Sequence, residues 1–302
     1  MECETVAMSL RLEMLQVARL APASLGEEAS QLVETFVRSQ QQADGGFADR
    51  DGRSDLYYTS FAIDALTALQ VPLPEDALRS YLNGFGDGAS LDFVHLCCLA
   101  RIWSALEKNG PSIDAMLNHL EKKFRTTDDG GYNQSPEATF GSSYGCFLAY
   151  GAYSDHGRTP PEASRIIEEC LQSLATADGA WANDRHLPVP NLPSTAAAIS
   201  LYRNFRAPIP AATGDWILSL AHPLGGFKAF ADAPMPDLLS TAVGLHALDG
   251  LQVSFQQHRE NFLDFIDSLW TAAGGFHGTW NDEALDLEYT YYGLLALGHL
   301  SM

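Results

Sequence analysis

The sequence predicts an all-α fold: a closed ring of about six helix pairs, with amphipathic helices outside and apolar helices inside. Three observations predict it. First, a glycine pair or its remnant followed by an aromatic recurs, as DGGF ending at Phe47, DGGY at Tyr132, DGAW at Trp181, LGGF at Phe227 and AGGF at Phe276. Second, roughly a dozen residues after most of these aromatics, a polar residue stands four positions before Thr or its equivalent. Third, the segments on either side of this loop carry helical periodicity of two different kinds.

The spacings set the number of units. Phe227 follows Trp181 by 46 residues and Phe276 follows Phe227 by 49, while 85 residues separate Phe47 from Tyr132. That gap is about two periods, and Phe85 in NGFGDG stands where the missing copy belongs. The polar-to-Thr feature reads DLYYT (Asp55 to Thr59), DFVHL (Asp92 to Leu96), NLPST (Asn191 to Thr195), DLLST (Asp237 to Thr241) and DLEYT (Asp286 to Thr290). In the third unit, SPEATFGSS is out of register and offers no clear equivalent.

Each helix has a stated reason. The segment before the glycines is amphipathic: Ile113, Met116, Leu117, Leu120 and Phe124 recur at helical spacing, as do Phe262, Phe265, Ile266 and Leu269. The segment after the Asp is apolar nearly all round, as in Thr241 to Leu248 and Tyr291 to Leu300, which suits helices buried on both sides. The glycines are expected to end the outer helix in a left-handed cap, and the Asp or Asn to cap the inner one. This gives a single domain with a leading helix, Val6 to Leu20, in residues 1–24, and repeats at approximately 25–70, 71–107, 108–153, 154–205, 206–251 and 252–302. An open solenoid of helix pairs is the structural rival, but it usually joins its helices by shorter turns.

Composition narrows the function. The 18 Lys and Arg against 38 Asp and Glu leave a net charge of −20, which disfavours nucleic acid and anionic lipid as partners. No apolar run reaches membrane-spanning length and the opening MECETVAM is acidic, so a cytoplasmic location is expected, with peripheral membrane contact still open. The five cysteines form no CxxC pair and read as small core residues. There is no P-loop or HExxH.

The repeat resembles that of protein prenyltransferase β subunits and class II terpene cyclases, from about Leu32 to Leu300. The resemblance implies an (α/α)6 toroid whose central cavity takes a hydrophobic, isoprenoid-like small molecule, with functional residues at the starts of inner helices. A zinc-dependent prenyltransferase would show D-x-C and D-x-x-H-T at two of these starts. Leu239 stands where the Cys would be and Tyr289 where the His would be. Upstream, only Lys228 and His277 are available to hold a diphosphate. No cofactor is therefore expected. Zinc or magnesium would enter only for a divergent prenyltransferase β-like subunit, with Asp92 and His95 of DFVHLCC as the weak metal alternative; their plainer reading is an N-cap and an interior His.

Cyclases that begin by protonating an alkene resemble D-x-D-D-T, with the proton donor two residues before the Thr. In DLEYT this position is Glu288 and the first acid is Asp286. The comparable residues elsewhere are Tyr57, Val94, Pro193 and Leu239. Glu288 is thus the candidate general acid and Asp286 its partner, with the helix N-terminus expected to strengthen the acid. Tyr57, Tyr58, Phe61, Phe140, Tyr144, Tyr289, Tyr291 and Tyr292 are the candidate substrate-binding rings, whose faces can stabilise cations. The same residues have an architectural reading as caps, first-turn acids and packing. An α/α-barrel glycosidase would instead need two facing carboxylates, such as Asp55 and Glu288. A non-catalytic toroid binding a lipid or a protein is the remaining rival. Class II cyclases usually enclose their substrate with a second helical domain, so either a partner chain closes the mouth of this ring, a small substrate suffices, or the reaction differs.

Overall fold

The computed structural model describes residues 9–106 and 112–302. Six inner helices, α3 (Leu56–Ala68), α5 (Phe93–Ala105), α7 (Ser143–Ser154), α9 (Leu192–Asn204), α11 (Leu238–Gly250) and α13 (Leu287–Leu300), each pack on the next, and α13 packs back on α3. The ring is therefore closed, as expected. Their partners outside are α2 (Ala21–Ser39), α4 (Glu75–Asn83), α6 (Ile113–Phe124), α10 (Thr213–Ser219) and α12 (Arg259–Leu269); in the fourth unit a π-helical turn, Ile166–Leu171, runs into the short α8 (Gln172–Leu174). Among the described residues no helix is long and apolar enough to cross a membrane.

One hydrogen-bond device explains the repeat. Every inner helix is capped by the side chain of the preceding residue, which accepts the N–H three residues on: Asp55 from Tyr58, Asp92 from His95, Asn191 from Ser194, Asp237 from Ser240 and Asp286 from Tyr289. One residue further, the Thr hydroxyl accepts the backbone N–H of the loop aromatic. The distances are 2.9 Å for Phe47 to Thr59, 3.0 Å for Trp181 to Thr195, 2.9 Å for Phe227 to Thr241 and 3.4 Å for Phe276 to Thr290. These aromatics are fully buried, so the Thr satisfies an N–H that water cannot reach.

The third unit, unplaced from sequence, obeys the same rule with other atoms. Ser142 caps α7 through Gly145 N–H, and Cys146 Sγ stands 3.4 Å from Tyr132 N in the place of the Thr oxygen. In the second unit Leu96 replaces the Thr and the device is lost; half-buried Phe85 stacks edge-on against Tyr81 instead.

The glycines act differently from the expectation. Helices α2 and α12 end at Ser39 and Leu269, several residues before the glycine pair. Gly274 instead adopts φ +91° in the turn that follows, and a Cβ there would lie 2.1 Å from the carbonyl oxygen of Leu32 in α2. The first glycine of the pair is thus where the next outer helix touches down, and at Gly274 that next helix belongs to unit one.

Within the expected leading segment the structure describes α1 (Leu10–Ala18); residues 6–8 lie outside the described part. It packs on α13, α3 and α7. Arg11 pairs with Asp64 at 2.5 Å, Ser9 hydrogen-bonds Asp155, Glu13 pairs with Arg203, and the Val17 carbonyl abuts Gly298. All four ring partners lie in the later turns or at the C-cap of their helices. Helix α1 therefore crosses the far end of the ring, opposite the glycine loops.

Candidate active site

An α-helix turns 100° per residue, so along each inner helix N-cap +2, +5, +6 and +9 share one face. The central cavity, about 380 Å³, is lined by residues of this register: Tyr57, Ser60, Phe61 and Asp64 of α3, and Glu288, Tyr291 and Tyr292 of α13, with matching positions on the other helices. The six N-cap +2 residues are Tyr57, Val94, Tyr144, Pro193, Leu239 and Glu288. Glu288 is the one acid in that set.

Glu288 accepts a 2.7 Å hydrogen bond from the Tyr57 hydroxyl. Burial pushes its carboxyl up to about 7; the Tyr57 bond pulls the other way, and the negative charge of Asp286 adds to the rise. This reverses the expectation of a strengthened acid, because the desolvation of a carboxylate in an aromatic wall outweighs the helix N-terminus. The group is consequently half protonated near neutrality.

Asp286 does not hold Glu288 directly. Its Oδ1 accepts from Tyr289 N at 2.8 Å and its Oδ2 from Arg50 Nε at 2.7 Å, while Arg50 also reaches Asp282 at 2.9 Å. Its influence on Glu288 is that of a nearby charge. The hydrogen-bonding partner of Glu288 is Tyr57.

Five of the eight candidate rings line the cavity: Tyr57, Phe61, Tyr144, Tyr291 and Tyr292. Phe61 is the hub, 4.9 Å from Tyr57, 5.8 Å from Tyr291 and 5.5 Å from Tyr292 between ring centroids. Tyr58, Tyr289 and Phe140 are not in the lining. Tyr58 and Tyr289 stand at N-cap +3, one residue off the lumen face, and the Tyr289 ring lies under Arg50 and against Gly278. Phe140 precedes α7 in a loop and carries Arg185 over its ring at 3.9 Å.

His95 bridges two carboxylates, with Nδ1 2.6 Å from Asp92 and Nε2 2.9 Å from Asp55. The hydrogen bond to Asp55, reinforced by Asp92, holds the imidazole up to about 9, which suits a protonated ring shared between two carboxylates. Among the described residues no group of three or more His, Cys, Asp or Glu is arranged to hold a metal ion. Asp55 is committed to its cap and to His95, and it does not face Glu288 across the cavity as a glycosidase pair would.

Sequence reasoning missed the polar deep end of the cavity. Arg11, Asp64, Arg101, Ser200 and His246 line it. The signal was available: Asp64, Arg101 and His246 interrupt helices that are otherwise apolar, each at N-cap +9. Phe147 at N-cap +5 was missed because the third unit had no register.

Several solved structures share this fold at low sequence identity. A protein from Actinoplanes superposes with a TM-score of 0.61 at 15% identity, covering 91% of this chain and 100% of that one. The type II terpene cyclase MstE from Scytonema gives 0.55 at 11% without ligand, covering 90% and 96%. Its complex with the substrate geranylgeranyl dihydroxybenzoate gives 0.55 at 13%, covering 96% and 97%. No curated protein sequence matches significantly. The prenyltransferase alpha-alpha toroid domain model matches residues 27–118 and 194–301, more than half of the chain. With the closed ring of six helix pairs, that match places the chain in the prenyltransferase α/α-toroid family.

Proposed function

We propose that the protein is an isoprenoid-handling enzyme that starts cyclisation or isomerisation by protonating a short polyene in the central cavity. Glu288 is the general acid. The observation that carries this reading is its isolation: of the six equivalent helix positions, five of which line the cavity, one holds an acid, and that acid is buried against aromatic rings and protonated to a useful extent near neutral pH.

The proton moves from the Glu288 carboxyl to an alkene carbon, the π electrons form the new C–H bond, and a tertiary cation remains. Either a neighbouring alkene attacks that cation, closing a ring and moving the positive charge to its own far carbon, or no ring forms; in both cases a C–H next to the final cation returns its proton to the Glu288 carboxylate and leaves a double bond. An alkene is a very weak base, so the step depends on stabilising both charges that appear. Tyr57 already donates to Glu288 and that bond strengthens as the carboxylate develops. Phe61, Tyr144, Tyr291 and Tyr292 line the cavity beside Glu288, where their π systems can stabilise the cation. Asp286, through its charge, is a positioning residue that favours the protonated acid. MstE, a terpene cyclase of the same fold, supports the reaction class by analogy alone.

The test is product analysis by mass spectrometry after incubation with ten- and fifteen-carbon polyenes. Glu288→Gln should lower turnover by about 10²–10⁴-fold, the usual worth of a general acid, while leaving ligand binding intact. A Glu288→Gln protein that converts substrate at the wild-type rate would refute the assignment.

A further inference from the structure

The cavity changes character along its axis. Its mouth holds Glu288, its middle is aromatic, and its deep end is ionic. There Arg101 lines the cavity from the third turn of α5. Its side chain is 18% exposed, and that exposure faces the lumen. The nearest carboxylate is Asp155, 3.4 Å from Nε, a long contact for a charge-assisted pair and one that Asp155 shares with Ser9. The two amino groups of Arg101 have no acceptor among the described residues. Beside it the hydroxyls of Ser60 and Ser200 donate to carbonyls of their own helices, which leaves their lone pairs toward the lumen.

Charge decides what this end can hold. Arg11 and Arg101 are matched by Asp64 and Asp155, so no net positive charge is left for an anion. A diphosphate or carboxylate placed there would lose its hydration without a free counter-charge. What remains unspent is the amino donors of Arg101 and the serine lone pairs beside them. A neutral oxygen atom complements them, since it costs little to desolvate and accepts from a guanidinium.

Distance and volume set the size of the ligand. Glu288 stands at N-cap +2 and Arg101 at N-cap +9, so about seven residues, or ~10 Å of helix rise, separate their levels along the ring axis. At the roughly 1.2 Å per bond of an extended chain, that is the reach of a ten-carbon chain with an oxygen at one end. The cavity of about 380 Å³ agrees, since it holds roughly a dozen non-hydrogen atoms at ~30 Å³ each.

We propose that the deep end of the cavity is a recognition subsite for a hydroxyl group on a short isoprenoid of about ten carbons, with Arg101 as principal donor and the lone pairs of Ser60 and Ser200 as acceptors beside it. The inference rests on the isoprenoid reading of the cavity and adds the direction of binding: oxygen inward to Arg101, remote alkene outward to Glu288. It also distinguishes this ligand from a prenyl diphosphate.

Calorimetric titration of the purified protein with geraniol, with the ten-carbon diene that lacks its hydroxyl, and with geranyl diphosphate tests the proposal. Geraniol should bind at least tenfold more tightly than either, the usual worth of one hydrogen bond to a charged group. Arg101→Met should erase the preference for geraniol over the diene while leaving the affinity for the diene within about twofold. Should Arg101→Met fail to fold, Ser200→Val, which removes only a neighbouring acceptor, should reduce the preference in part, and the wild-type ranking stands by itself. Equal binding of geraniol and diene, tighter binding of the diphosphate, a preference that survives Arg101→Met, or no binding of any probe would each overturn the subsite. The titrations are repeated on Glu288→Gln, which has no acid to lose a substrate to. A subsite failure and a failure of the acid assignment are then read on separate measurements, binding in one case and product formation in the other.

Discussion

Glu288→Gln should stabilise the protein, and more so in mild alkali than in mild acid. In the fold the Glu288 carboxyl titrates near 7, against an ordinary value of 4.5 that applies to the unfolded chain. Between those values the folded state holds a proton that the unfolded state has released, so stability falls as pH rises. The unfolded state gains from ionisation from about pH 4.5 upward and the folded state only above about 7. Integrated between pH 5 and pH 8, the penalty is about 2.5 kcal/mol at ~1.36 kcal/mol per unit of pKa difference. Glutamine has no proton to lose and escapes it, while keeping an acceptor for the Tyr57 hydroxyl. Urea denaturation of both proteins at pH 5 and pH 8 measures the effect, because every other titrating group is common to the pair and cancels. Wild type should lose about 2.5 kcal/mol more than the variant over this interval. Parallel pH dependences would mean that Glu288 is not desolvated as described, and the acid assignment would lose its physical basis.

Other consequences are equally open to measurement. Turnover should be highest below pH 7 and fall about tenfold per pH unit above it, as the Glu288 proton is lost; a rate that rises through pH 7 would identify a base instead. Tyr57→Phe should slow turnover by about tenfold, equivalent to one charge-assisted hydrogen bond, with little change in ligand affinity. Thr241→Val leaves the buried Phe227 N–H without its acceptor and should cost about 1–3 kcal/mol in a thermal or urea melt. Gly274→Ala brings a Cβ against the Leu32 carbonyl at a positive φ and should destabilise by more than ~1 kcal/mol, whereas Gly52→Ala, at a positive φ with nothing nearby, should cost only the backbone strain.

The repeat was legible because the device behind it uses side chains. An Asp that caps and a Thr that accepts an aromatic's N–H leave letters at fixed spacing, so five of six inner helices could be placed from sequence. Ser142 and Cys146 do the same work with different letters, and the third unit was invisible until their distances were known. Glu288 stood out because its four readable counterparts are not acidic. Its hydrogen bond to Tyr57 joins residues 231 positions apart and left no local trace. Tyr58 and Tyr289 were chosen for ring chemistry when the 100° step of the helix already turned them from the lumen. The role of the glycines was also misjudged, since what they must admit is the carbonyl of another helix, and a sequence does not say which backbone will pass close by.

The contact of Gly274 with Leu32, together with the packing of α1 on α13, ties the opening of the chain to its close. An open array of repeats can begin folding anywhere and tolerates loss of a terminal copy. Here the apolar flank of α3 needs α13, the last helix of the ring, and without it the lumen is a groove exposed to water. Closing the ring therefore rests on contacts of long sequence separation, the kind that slows folding. A shortened chain lacking the sixth unit would forfeit more than one sixth of the architecture, because the acid, two rings of the aromatic wall and the seam of the ring reside in that unit.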